Sequence, residues 1–180
     1  KPNALGELSQ GVELRMLKDD GSAAGPGEVG EFCVKETSPH TIFNGYFDNP
    51  RANEAAFAGG WYHTGDLGIR DADGDYFFVD RKKDVIRYKG RNVASLQVES
   101  VAMQHPAVQT AAVYGVPSQE LDSEHEIKLD AVPRPGAQIS AEELARFINA
   151  NAPWLSVARY SERLPELPYT PTNKLLKYKL

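Results

Sequence analysis

Hydrophobic and polar positions alternate along the first half of this chain and then change period. "GVELRMLKDDGS" (11–22) places Val12, Leu14 and Met16 at every second position, which predicts a half-buried strand running into an Asp20-Gly21 turn. "GEVGEFCVKE" (27–36) predicts a second strand. "LGIRDADGDYFFVD" (67–80) reads as a hairpin with Asp73-Gly74 at its tip, the glycine supplying the positive φ such a turn requires. Between these, "NPRANEAAFAGGWYH" (49–63) opens like a short helix after Asn49-Pro50 and stops at Gly59-Gly60. Residues 1–80 are therefore expected to be mostly β.

Beyond residue 84 the pattern is mixed. "DVIRYKGRNV" (84–93) predicts a tight hairpin turning at Lys89-Gly90, and Ser95 is placed to cap a helix that runs to about His105 before Pro106 ends it. "VQTAAVYGV" (108–116) is an apolar run of strand length, and "EIKLDAV" (126–132) alternates as a strand does. "SAEELARFINAN" (140–151) has Ser140 and Glu143 at capping-box spacing, with Leu144, Phe147 and Ile148 forming an apolar stripe suited to core packing. "ARYSERL" (158–164) is a further candidate strand. The fold class expected is α+β: a β-rich unit over 1–80, a charged joint in "VDRKKDVI" with the boundary at 80–84, and a small α+β unit over 84–180.

Composition narrows the function classes. The chain has 180 residues, 41% hydrophobic and 25% charged, enough to bury a core in one or two domains. Its net charge of −5 argues against a nucleic-acid partner, although a local basic site is compatible with it. Cys33 is the only cysteine, so no internal disulfide forms; a buried structural thiol in a reducing, cytoplasmic setting is the reading. No apolar run approaches the ~18 residues of a membrane helix, and nothing resembles a signal peptide. The chain opens at Lys1 without a methionine, which suggests that it continues upstream.

Several stretches invite chemistry and are better read plainly. "DADGD" (71–75) imitates the start of a calcium loop, but the twelfth position, where a bidentate glutamate belongs, is Lys82. "DSEHE" (122–126) lacks a second histidine at ligand spacing and reads as a solvated acidic loop. His40 and His105 stand alone. Arg81, Lys82, Lys83, Arg87, Lys89 and Arg91 are the most basic stretch, explained by the outward face of a hairpin. "GWYHTGDLG" (60–68) carries more: Asp66, among small residues at an expected strand entry, has a carboxylate able to accept both hydroxyls of a ribose. A plain turn is the other reading. The final stretch, "LPYTPTNKLLKYKL" (167–180), holds Lys174 just after two chain-stiffening prolines, Pro168 and Pro171. Either a solvated tail or a deliberately presented ammonium fits these residues.

Taken in order, "YHTGDLG" (62–68), "VDRKKDVIRYKGRNV" (79–93) and "PYTPTNK" (168–174) resemble the adenylate-forming enzymes, among them acyl- and aryl-CoA synthetases, peptide-synthetase adenylation domains and firefly luciferase. "GYFDNPRANEAAF" (45–57) matches the stretch that precedes the family's Thr-Gly-Asp motif, and the resemblance spans the whole chain. "KLLKYKL" and "AVYGVPSQE" (112–120) look most like bacterial carnitine-CoA-ligase-like enzymes. The resemblance implies a two-step acid–thiol ligase, with ATP, Mg2+ and CoA as cofactors and co-substrates, a small-molecule carboxylate as substrate, and a place in fatty acid metabolism. Position by position, it implies that Asp66 and Arg81 hold the ATP ribose and phosphates and that Lys174 serves adenylation. It makes Lys83 the hinge about which the C-terminal unit turns, and brings Lys89 and Gly90 to a thiol tunnel.

There are departures. Asn173 replaces the usual glycine before the catalytic lysine, and it too tolerates left-handed backbone. Ser95 and Gln97 stand for the family's Pro and first Glu, Glu99 keeps the second acid, and Ser123-Glu124 replaces a Gly-Glu pair. The family's glycine-rich phosphate loop and metal-binding glutamate have no counterpart in these residues. The expected partner is thus a missing N-terminal large domain, without which the chain alone should be inactive; an oligomer is also compatible. The alternatives are a stand-alone binding module acting in trans with a large domain or acyl carrier protein, and an inactive structural piece.

Overall fold

The computed structural model describes residues 1–118, 124–152 and 160–180, and the chain divides into two compact units, Lys1–Lys83 and Asp84–Leu180. The fold is α+β.

In the first unit, four antiparallel strands pair in sequence order: β1 (Val12–Leu17), β2 (Val29–Glu36), β3 (Tyr62–Arg70) and β4 (Tyr76–Arg81). β2 is an inner strand with both edges paired, and Gly30, Glu31, Phe32 and Cys33, which alternate between its two faces, are all buried. Gly68 permits the closest approach in this sheet: a Cβ there would lie 2.1 Å from the Phe32 ring and 2.6 Å from the Phe77 carbonyl oxygen. Helix α1 (Pro50–Ala56) starts as its sequence predicts, with Pro50 in the first turn and the Asn49 side chain accepting the Ala52 N–H at 3.1 Å. At the β3–β4 tip, the Asp71 carboxylate accepts the N–H groups of Asp73 and Asp75 at 3.0 and 2.9 Å, with Gly74 at φ 97°. That carboxylate closes the hairpin through the backbone, in keeping with the turn reading of "DADGD".

The second unit opens with the hairpin of β5 (Ile86–Tyr88) and β6 (Arg91–Val93), followed by α2 (Ser95–Ala102). A three-stranded sheet then forms, with β8 (His125–Pro133) between antiparallel β7 (Val108–Pro117) and parallel β9 (Tyr160–Arg163). Helix α3 (Ala141–Asn151) makes the crossover between β8 and β9, and the Ser140 hydroxyl accepts the Glu143 N–H at 3.1 Å. One face of the sheet supplies Val113, Ile127 and Leu129 to a core with Ile86, Val98, Leu144 and Ile148. The opposite face is covered near Ala112 and Val132 by Leu167, with Leu164, Leu175 and Leu180 beside it.

The start and end of α2 differ from expectation. Ser95 does not cap the helix: Ala94 takes that position without a side-chain bond, and the helix ends at Ala102 rather than near His105. Ser95 is wholly buried, and its hydroxyl is used elsewhere, accepting from Lys177 Nζ at 2.6 Å.

Candidate functional site

Asp66 lies inside β3, not at its entry. Gly65 takes φ 74°, and the register against β4 shifts between Leu67 and Gly68, so the strand continues through an irregularity instead of beginning after it. The Thr-Gly-Asp backbone is held from within. Thr64 Oγ1 donates to the Phe32 carbonyl at 2.7 Å and accepts the Asp66 N–H at 3.1 Å, while Glu31 Oε1 accepts the Gly65 N–H at 3.0 Å. Asp66 itself is left 37% exposed. Arg81, its register partner on β4, places Nε 3.4 Å from Asp66 Oδ1. An exposed pair of this kind is worth about 0–1 kcal/mol, little enough for an incoming polyol or phosphate to displace.

Glu31 is the anchor that sequence reading passed over. It is buried, with Oε2 lying 3.2 Å from both His63 Nδ1 and Lys82 Nζ. Burial alone would raise this carboxyl, but His63, the Gly65 N–H and Lys82 outweigh it and hold it below its ordinary value. Lys82 also reaches Asp19 at 3.1 Å; burial would lower its ammonium, yet the two carboxylates raise it. Cys33 is wholly buried as expected, its Sγ 3.4 Å from His63 Nδ1, and desolvation together with Glu31 pushes its thiol up to about 11. The only available signal for Glu31 was an acid two residues before a buried cysteine on an inner strand, which alternation alone does not single out.

Lys83 is exposed in the single turn Lys82–Asp84 that follows β4. Lys89 and Gly90 form the two-residue tip of the β5–β6 hairpin, both left-handed at φ 47° and 74°. Ile86 and Tyr88 point into the core while Arg87 stays out, bonded to Asn92 Oδ1 at 3.2 Å. The Lys89 ammonium lies 5.1 Å from the centre of the Tyr88 ring. Glu124, part of the acidic stretch, accepts the Gly90 N–H at 2.6 Å; Asp122 and Ser123 lie outside the described residues.

Lys174 stands on a closed turn. The Thr170 N–H donates to the Lys174 carbonyl at 2.8 Å, the Asn173 N–H to the Thr170 carbonyl at 2.9 Å, and the Lys174 N–H to Thr170 Oγ1 at 2.9 Å. Asn173 is left-handed at φ 60°, the conformation its sequence position called for. The Leu176 N–H donates to the Pro168 carbonyl, so this segment is a small hairpin and not a frayed tail. Three residues on, the part-buried Lys177 places Nζ 2.8 Å from Oε1 of the buried Glu99, and that carboxylate oxygen also accepts the Val113 N–H at 2.8 Å. Glu99 and Lys177 therefore tie the Lys174 turn to α2 and β7. A glutamate on the apolar face of α2, beside Val98 and Ala102, was the signal that could have revealed the tie.

Known proteins resemble this chain along nearly its whole length. Residues 97–174 match the AMP-binding enzyme C-terminal domain. Crotonobetaine/carnitine–CoA ligase of Escherichia coli is 36% identical over 178 residues, 98% of this chain and 34% of its own length. A probable CoA ligase of Humulus lupulus is 34% identical over 97% of this chain and 32% of its own. The solved structure of o-succinylbenzoate CoA synthetase from Bacillus subtilis, in complex with an acyl-adenylate intermediate, has a TM-score of 0.87 at 31% identity, covering 99% of this chain and 35% of that one. An amide bond synthetase from Marinactinospora thermotolerans has a TM-score of 0.84 at 33% identity, covering 98% of this chain and 35% of that one. The chain spans about a third of the length of these relatives.

Proposed function

The chain carries the C-terminal region of the AMP-binding, adenylate-forming enzymes, and on that premise we propose that it serves an acid–thiol ligase that makes an acyl-adenylate from ATP and a carboxylate and passes the acyl group to CoA. In this reading the chain works with a large adenylating domain and does not form adenylate without it. The observation that carries it is the Lys174 turn: an exposed ammonium on a backbone closed by Thr170 and tied down through Lys177. A charge held in place before the reaction stabilises a developing oxyanion without reorganisation at the barrier.

The other residues take separate tasks. Asp66 accepts the ribose hydroxyls, and Arg81 offers a planar fork of donors to ribose and phosphate. Lys83, at the last position of the first unit, is the hinge. Lys89 and Gly90 line the path of the thiol. The residues present fit a nucleotide, since the Asp66 carboxylate is accessible and its ion pair with Arg81 is weak. They do not supply Mg2+: among the described residues the one cluster of possible ligands contains a thiol and an imidazole, where Mg2+ takes oxygen. Carnitine-like acids are the substrates first to be tried, given the 36% identity to crotonobetaine/carnitine–CoA ligase.

The test is ATP–pyrophosphate exchange with a panel of carboxylic acids, for the chain alone and for a longer protein in which it follows a large adenylating domain. Exchange by the second and not the first is expected. Exchange by the purified chain alone would overturn the division of labour. Absence of exchange in both, together with capture of an acyl carrier protein, would favour a binding module acting in trans.

A further inference from the structure

Glu31, Cys33 and His63 bring three different donor atoms to one place. Glu31 and Cys33 are two residues apart on β2, and His63 is the register partner of Cys33 on β3. His63 Nδ1 lies 3.4 Å from Cys33 Sγ and 3.2 Å from Glu31 Oε2, and all three atoms fall within 4.8 Å of one another. Zn2+ bound tetrahedrally, with metal–ligand lengths of about 2.3 Å to sulfur and about 2.0–2.1 Å to nitrogen and oxygen, separates its ligands by about 3.6 Å (S to N) and about 3.4 Å (N to O). The two separations found in the protein are each only slightly shorter. Small shifts of the His63 ring would bring these two edges to tetrahedral length, and the third, from sulfur to carboxylate oxygen, lies within 4.8 Å.

The supporting groups fit the same role. Glu31 Oε1 is engaged by the Gly65 N–H, which leaves Oε2 as a single ligand with its direction fixed. Cys33 is wholly buried, whereas the His63 side chain is 28% exposed, so one side is open to an entering ion and to a water in the fourth position. Sulfur, imidazole nitrogen and carboxylate oxygen together select zinc-class transition metals over Mg2+ or Ca2+. We propose that Glu31, Cys33 and His63 form a three-ligand site for a transition-metal dication of the Zn2+ class, clamping β2 to β3 behind the Thr64–Asp66 segment.

On binding, the thiol S–H bond breaks, its proton leaves to solvent, and the thiolate electron pair forms the metal–sulfur bond; the remaining ring proton of His63 resides on Nε2. Lys82 competes for Oε2 and keeps Asp19 as its alternative partner. The site is independent of the ligase reading, because none of its ligands is assigned to nucleotide, acyl group or thiol.

Titration of the whole chain with Co2+ tests the proposal. Since Cys33 is the only cysteine, any thiolate-to-metal charge-transfer band reports on it alone. One equivalent should produce that band with visible tetrahedral d–d absorption, and Zn2+ should bleach both. His63→Gln and Glu31→Gln should weaken Co2+ binding tenfold or more, and Cys33→Ser should abolish the band. X-ray absorption of the Zn2+-loaded wild type, which needs no variant to fold, should show one sulfur among nitrogen and oxygen neighbours. Absence of the band, a zinc shell without sulfur, or affinity unchanged in His63→Gln would overturn the site.

Discussion

The tip at Lys89-Gly90 and the turn that ends in Asn173-Lys174 each set a lysine beside a left-handed residue, yet different forces hold them. At the first, two successive residues have positive φ and an exposed carboxylate from Glu124 reaches across to the Gly90 N–H. At the second, Thr170 closes the turn with its own backbone and hydroxyl, and a largely buried Lys177–Glu99 pair fixes the segment from below. Solvent screens the first tie much more than the second. The contrast suits the tasks proposed: a lysine that stabilises charge must be stationary, whereas a lysine lining a passage can adjust. It also sets which substitutions should matter.

Lys177→Met should have the largest effect. It strands the buried Glu99 carboxylate, and losing one partner of such a pair costs about 3–5 kcal/mol. Urea unfolding should register that loss, and the double variant Lys177→Met/Glu99→Met should recover much of it. A loss for Lys177→Met no larger than for an exposed lysine would erase the contrast between the two turns.

Next comes Lys174→Ala, made in the longer ligase. Removing one preorganised partner of the transition state costs about 2.7–4 kcal/mol, on the order of 10²–10³ in rate. The adenylation half-reaction should slow by that factor, while thioester formation from supplied acyl-adenylate and the folding stability should hardly change. Lys89→Ala should show the reverse preference for half-reaction. Equal losses in both steps for both variants would remove the assigned division.

Two glutamates that each accept a glycine N–H sharpen the comparison further. Glu31 holds Gly65 from a buried position, and Glu124 holds Gly90 from an exposed one. Glu31→Gln should cost about 1.5–3 kcal/mol, as hydrogen bonds to charged groups do, and Glu124→Gln well under that. Because the folded Glu31 carboxyl lies below its ordinary value of 4.5, its contribution is complete above that pH and fades as pH falls through the folded value. The stability gap between wild type and Glu31→Gln should therefore close on acidification below pH 4.5. A gap that widened would have the wrong sign for this account.

The smallest effects belong to the left-handed positions. Gly90→Ala meets no atom within 4 Å, so its cost is conformational only, about 1–2 kcal/mol. Asn173→Ala should cost about the same, and Asn173→Gly should be tolerated. Thermal melts of these three variants suffice to check it.

Local chemistry was readable before the structure. Asp73-Gly74, Lys89-Gly90 and Ser140 each carry their instruction within a few residues, and the turns and cap formed where the residues put them. Buried polar ties were not readable in this way. Ser95 looks like a cap in sequence, but Lys177, far along the chain, takes its hydroxyl and moves the cap position to Ala94. Glu31 and Glu99 look like surface charges until the strands and helix that bury them are assembled, and Lys177 until it meets Glu99. The Thr-Gly-Asp motif was visible, but not the irregular register that draws Asp66 into a strand, because a bulge depends on the partner strand as much as on its own residues.

The strand order has a consequence for how the chain acquires its shape. In the first unit every strand pairs with its sequence neighbour, so the sheet can close step by step as the chain emerges. In the second, β8 waits for parallel β9, and the cover over Ala112 and Val132 comes from Leu167, Leu175 and Leu180 near the end of the chain. Lys177 can meet Glu99 only after those residues have docked. Lys174 is therefore set in place late, when nearly everything it depends on has already folded.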